Sequence, residues 1–151
     1  MKVMKKIMGL AMMCSMCAAT IKAKTAITPV SFPPAVGPFS QAVTVAPTKM
    51  TFVSGQLPIN KDGSIEIDDI KAAAIIVMDR IGVILKEGGM DYSNIVKTTI
   101  YLTDMKNFAA VNNVYASYLK DLTILPARET VGVVALPMGA TVEISVVAVQ
   151  E

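Results

Sequence analysis

Pro126-Ala127-Arg128-Glu129-Thr130-Val131-Gly132-Val133-Val134-Ala135-Leu136-Pro137-Met138-Gly139-Ala140-Thr141-Val142-Glu143 is the stretch on which the fold turns. An arginine enters one apolar run, a Pro-Met-Gly turn follows, and a glutamate heads a second run that includes Ile144, Val146 and Val147. A charge so close to core strands is costly unless it is paired or meets a charged ligand. Arg128 and Glu143 therefore form an ion pair, reach water at the strand ends, or serve a ligand.

The turn at Leu136 to Ala140 predicts a closing hairpin. In that register Glu143 lies opposite Val133, five residues beyond Arg128. That separation is about 16 Å along an extended chain. The two charges cannot then meet in one compact site within a single chain. If they share a site, a second subunit must bring them together.

The opening residues read as an address. Lys2, Lys5 and Lys6 form a positive region, Ile7 to Ala19 is uncharged and largely apolar, and Cys17-Ala18-Ala19 and Ile21-Lys22-Ala23 are imperfect cleavage sites. This is the pattern of a signal peptide, and the apolar run is short for a transmembrane helix. Met13 and Met16 precede the cysteines, where a lipoprotein signal wants a small residue. Residues 1–23 are expected to be removed and a single domain, 24–151, to be exported, to the periplasm in a cell that has one. Without a working signal the product would stay in the cytoplasm.

Removing that segment changes what the composition implies. Cleavage after Ala19 leaves 132 of the 151 residues and takes three of the 14 basic ones, so 11 face 12 acidic ones for a net charge of −1. The basicity belongs largely to the address, and no cationic stripe with interleaved aromatics remains to bind nucleic acid. Both cysteines leave with it, and the sequence has no histidine. A Ser-His-Asp triad, a Cys-His pair and imidazole metal ligation are all excluded. Gly88-Gly89 follows a helix rather than opening one, so no phosphate loop is formed. No metal, cofactor or membrane partner is expected. Any chemistry must use carboxylates, arginine, hydroxyls, backbone groups and water.

Thr25 to Ser40 carries Pro29, Pro33, Pro34 and Pro38 and should run irregular. Strands are expected at Ala42–Val45 and Met50–Ser54, paired as an N-terminal hairpin across Pro47-Thr48-Lys49. Ser54-Gly55-Gln56 ends the second with a hydroxyl, a glycine and an amide. A helix is predicted from about Ile70 to Lys86, capped by Asp68 or Asp69, with Ile70, Ala74, Val77, Ile81, Ile84 and Leu85 along one stripe. Ile95–Leu102 is a strand. A second helix, about Met105 to Leu119 after Asp104, buries Phe108, Val111, Val114 or Tyr115, and Tyr118 or Leu119. Asn112 stands near that stripe. The order β-β-α-β-α-β-β gives one α+β domain, two helices on one face of a mostly antiparallel sheet.

Gly37-Pro38-Phe39-Ser40-Gln41-Ala42, Ser54-Gly55-Gln56, Val96-Lys97-Thr98-Thr99, Phe108 to Tyr115, Pro126-Ala127-Arg128 and Val142-Glu143-Ile144 occur together, in order, from about Thr25 to Glu151. On these motifs the sequence resembles the RidA (YjgF-type) reactive intermediate deaminases. The resemblance implies a chorismate-mutase-like fold and a homotrimer with ligand clefts between subunits. It implies hydrolysis of short-lived enamines and imines, such as 2-aminoacrylate, to 2-keto acids and ammonia, without a cofactor.

In those terms Arg128 offers a planar fork to the substrate carboxylate, and the Gly55 amide shares it. Glu143 activates water and returns a proton to nitrogen. Ser54, Gln56, Asn112 and Thr130 match positions that line the cleft, and Phe39 forms an apolar wall. Three residues depart from the family pattern. Phe39 stands where many members carry tyrosine, Thr130 where several carry cysteine, and Glu129 where a small residue is usual. Strand alternation should turn Glu129 away from Arg128. An exported copy would not meet enamines made in the cytosol. A second class therefore stands beside the enzyme, a binder of small carboxylates or a holdase-like protein that uses the same clefts without turnover.

Overall fold

The structure, a computed structural model, describes residues 24–31, 33 and 35–150. The expected address segment, 1–23, lies outside the described residues. Helix α1 spans Ile70–Glu87. It starts where the Asp69 carboxylate accepts the Lys71 and Ala72 amides at 2.8 and 3.3 Å, answering N–H groups that a helix start leaves open. It ends at Gly88, and Gly89 turns the chain away with φ +73°. Ala74, Val77, Ile81 and Leu85 of the expected stripe are buried, joined by Ala73 and Met78, while Ile70 and Ile84 sit at the margin. Helix α2 is Phe108–Leu119; Asp104 caps a separate 3-10 turn, Met105–Asn107, before it. Val111, Tyr115 and Leu119 are its buried face.

Strand β4, Ile95–Leu102, is followed by α2 and then by β5, Ala127–Gly132. A helical crossover returns the chain in the same direction, and β5 pairs with β4 in parallel. Strand β6, Val142–Gln150, runs antiparallel to β4 on one side and to β3, Lys49–Gln56, on the other. The sheet order is β3-β6-β4-β5, mixed but mostly antiparallel, with both helices on one face. On that face β6 buries Val142, Ile144, Val146 and Ala148, and β4 buries Thr98, Ile100 and Leu102. Burying each large apolar side chain of this core is worth roughly 1.5–3 kcal/mol.

Two expected pairings are corrected. β5 and β6 do not form a hairpin, because β4 lies between them. β6 alternates buried and half-buried side chains along nearly its whole length, and its central place covers both of its edges; a closing hairpin would have left it at the rim. The expected turn survives as a 3-10 turn, Pro137–Gly139, within a link that passes the end of β4. There Val133 N donates to Leu102 O at 2.9 Å and Thr103 N to Thr141 O at 3.2 Å. The N-terminal hairpin is also absent. β2, Ala42–Val45, pairs instead with β1, Lys24–Ile27, in a separate antiparallel ribbon. The prolines that suggested irregular chain begin at Pro29, after β1 has ended.

Candidate functional site

Arg128 leaves β5 on the helix side of the sheet. Its register partner is Thr98 of β4, which faces α2 and is wholly buried, and paired residues share a face. The guanidinium carbon lies 5.4 Å from the centre of the Phe39 ring, 5.8 Å from Phe108 and 5.3 Å from Tyr115. Its Nη1 donates to Asn112 Oδ1 at 2.5 Å. Phe108, Asn112 and Tyr115 are spaced four and three residues apart, so one face of α2 supplies all three. Behind them the Tyr115 and Thr98 hydroxyls are 2.9 Å apart.

The segment carrying Phe39 docks beside β5. Ser40 N donates to the Pro126 carbonyl at 2.9 Å, and Ser40 bridges Ala127 in parallel. At Gly37 a Cβ would stand 3.3 Å from Arg128 Nη2, tight for any larger residue.

This recess holds two polar atoms without a hydrogen-bond partner, Arg128 Nε and Thr130 Oγ1, both buried. Thr130 follows Arg128 by two and shares its face of β5. Leaving such groups unanswered costs roughly 1–3 kcal/mol each. Burial pushes the Arg128 guanidinium down from its usual value, and Tyr115 pulls the other way. Guanidinium starts so high that it stays charged. Burial raises the Tyr115 phenol to about 12, against the Thr98 bond and the Arg128 charge. The recess thus offers a fixed cation walled by aromatic rings.

Glu143 stands elsewhere. Its register partner is Tyr101 of β4, on the face without helices. The Glu143 carboxylate lies against Gly55 of β3, where any Cβ would overlap it, and even Glu143 Cγ is only 3.0 Å from that Cβ position. The ladder between β3 and β6 shifts register between Val53 and Gln56, placing a bulge at this glycine. Ser54 is exposed beside it, and Gln56 Nε2 folds back onto the Ser54 carbonyl at 3.0 Å.

Arg128 is level with Thr98 and Glu143 with Tyr101, three residues on and two strands across. At the usual spacings that is on the order of 14 Å, and the side chains leave opposite faces. No single-chain ion pair joins them. The separation expected from a hairpin holds, for a different reason.

Of the eight residues singled out in the sequence, Phe39, Asn112, Arg128 and Thr130 come together in the recess. Ser54, Gly55 and Glu143 come together on the open face, whereas Gln56, paired with the buried Ile144, faces the helix side and is not brought to them. Glu129 also faces away from Arg128, paired with Lys97 and accepting Thr99 Oγ1 at 2.6 Å. Phe108, Tyr115, Thr98 and Gly37 were missed as site residues. Phe108 and Tyr115 flank Asn112 at helical spacing, a signal that was present but read as core.

The family described as "Endoribonuclease L-PSP" matches residues 30–150. The chain is 45% identical over 118 residues to a RutC family protein of Aquifex aeolicus, covering 78% of this chain and 93% of that one. It is 41% identical over 119 residues to the 2-iminobutanoate/2-iminopropanoate deaminase of Mus musculus, covering 78% and 85%. Among solved structures, a Rid-family protein of unknown function from Yersinia pestis superposes with a TM-score of 0.66 at 43% identity, covering 85% of this chain and 100% of that one.

Proposed function

The chain belongs to the endoribonuclease L-PSP family, within its RidA (YjgF-type) branch, and on that premise we propose that it hydrolyses 2-imino acids and their enamine tautomers to 2-keto acids and ammonia. One observation carries this reading. Arg128 is a fixed cation in an aromatic recess, its Nε is unpartnered, and so is the hydroxyl of Thr130, two residues on along the same face of β5. A planar fork with one further hydroxyl on its face of the strand suits one small carboxylate. An RNA strand asks instead for a row of cations along a groove.

The working site is formed between copies of the chain in a homotrimer. The two half-sites lie on opposite faces of one sheet, and the open face exposes Phe52 and Met50, 72% and 49% accessible, further along β3 from Gly55. Apolar side chains gathered on an open sheet face ask for a cover. A second copy laid there brings its Arg128 recess towards this copy's Glu143 and Gly55. No metal or cofactor takes part in the proposed reaction.

In that cleft Arg128 and the Gly55 amide hold the substrate carboxylate. Glu143 takes a proton from water as its oxygen bonds to C2 of the imine and the C=N π pair moves to nitrogen. Glu143 gives that proton to nitrogen, completing the carbinolamine. It then takes the C2 hydroxyl proton as the C2–O bond becomes the ketone and passes it to the nitrogen, which leaves as ammonia as the C2–N bond breaks. One water is consumed, one ammonia is released, and Glu143 ends as it began.

The test couples purified protein to a dehydratase that releases 2-aminocrotonate and times keto-acid formation against buffer. Acceleration that is lost in Glu143→Gln supports the enzyme. Keto-acid binding with no acceleration by the parent protein supports the carboxylate-binder reading instead.

A further inference from the structure

A large groove among the described residues lies apart from the Arg128 recess, between the outward side of α1 and the segment that begins at Gln56 and follows β3. It measures about 850 Å3, within the range of small-ligand pockets. Ile59, Ile76, Val83 and Ile84 give it an apolar lining, and Val83 is 62% exposed there. Two cations, Lys61 and Arg80, and two acids, Asp62 and Asp79, complete its wall.

The four charges are not equally engaged. Asp79 accepts the Tyr118 phenol at 2.7 Å. Asp62 accepts the Ser64 amide at 3.0 Å and the Ser64 hydroxyl at 2.7 Å, and those bonds hold its carboxyl below the usual range. The cations have little. Arg80 Nη1 reaches only the Ile59 carbonyl, at 3.5 Å, and Arg80 Nε is buried without a partner. Among the described residues neither Lys61 nor Arg80 enters an ion pair. The groove thus combines an apolar floor, acids that each already accept a hydrogen bond, and a guanidinium with donors to spare.

We propose that this groove is a second binding site, for a small carboxylate with an apolar tail, anchored by Arg80 with Lys61 at the mouth. The carboxylate answers guanidinium donors that the protein leaves open, and the tail covers Val83 and Ile84. Gln56 lines the groove and follows Gly55 directly, so an occupant sits one residue from the support of Glu143. The proposal does not depend on turnover in the cleft.

Octanoate is the probe, titrated calorimetrically into Arg128→Ala, in which the other carboxylate-binding cation is gone. Octanoate should bind this variant, and adding Arg80→Gln should weaken it about tenfold or more, the loss expected for charge-assisted hydrogen bonds. Val83→Asp, an exposed change that spares the core, should weaken it similarly. In carbon-13 methyl spectra octanoate should shift Ile59, Ile76, Val83 and Ile84, and acetate, which lacks the tail, should not. No octanoate binding to Arg128→Ala overturns the proposal. So does equal affinity with and without Arg80, or methyl shifts confined to other residues. A circular-dichroism spectrum matching the parent's confirms that each variant is folded.

Discussion

Gly55→Ala separates position from presence at Glu143. The backbone at Gly55 is not in the left-handed region, so alanine meets no conformational penalty there. Its Cβ would nonetheless fall on the Glu143 carboxylate, with Glu143 Cγ 3.0 Å away. The side chain must swing aside, at about 0.5–1.5 kcal/mol if it leaves a favoured rotamer. That is a small fraction of a domain's stability, so the unfolding midpoint should fall by only a few degrees. The carboxylate itself moves by an ångström or more, and misplacement of about 1 Å can lower turnover by about 10²-fold. The coupled deaminase assay should therefore show a deep loss of kcat in a protein that still folds and still binds 2-ketobutyrate. The double variant Gly55→Ala, Glu143→Gln should be no slower than Glu143→Gln alone, since both act through one group. Full activity in Gly55→Ala would refute the placement of Glu143 in the chemistry. Additive losses would show that Gly55 acts by another route.

Glu143→Gln keeps the shape but removes the base, so turnover should drop by about 10²-fold or more with 2-ketobutyrate binding retained, whereas Arg128→Ala should weaken that binding about tenfold or more by calorimetry. Light scattering at micromolar concentration should give the mass of three chains; a monomeric mass would remove the shared cleft. N-terminal sequencing of the exported product should place cleavage between Ala19 and Lys24, which keeps β1 and the Lys24 Nζ bond to the Ile95 carbonyl at 2.6 Å; a cytosolic chain that begins at Met1 would contradict export. Burial holds the Tyr115 phenol at about 12, and Tyr92, raised by burial and by Asp79, is also at about 12, above the unfolded value of about 10. The unfolded chain loses these protons first, so this stability is whole below about pH 10 and is lost towards about pH 12. The urea midpoint should fall over that window, and less steeply in Tyr115→Phe.

Local physics made much of the protein legible without coordinates. Apolar spacing marked α1, Asp69 and the Gly88-Gly89 pair marked its ends, and strand alternation turned Glu129 away from Arg128. These features depend on neighbours within a few residues, which the chain carries in its order. The candidate residues were also legible, because an arginine and a glutamate at the heads of apolar runs demand an explanation.

Strand order was not legible. A turn between two apolar runs suggests a hairpin, yet β6 gains more by burying both of its edges between β3 and β4 than by closing onto β5. That choice is settled by the helices and by partners about a hundred residues away, as in Lys49 opposite Gln150. The ring of Phe39, Phe108 and Tyr115 around Arg128 arises the same way, from three segments that meet only in the packed chain. So does the opposition of Arg128 and Glu143 across the sheet. A face is assigned by register, and register by a core that exists only once every strand is in place.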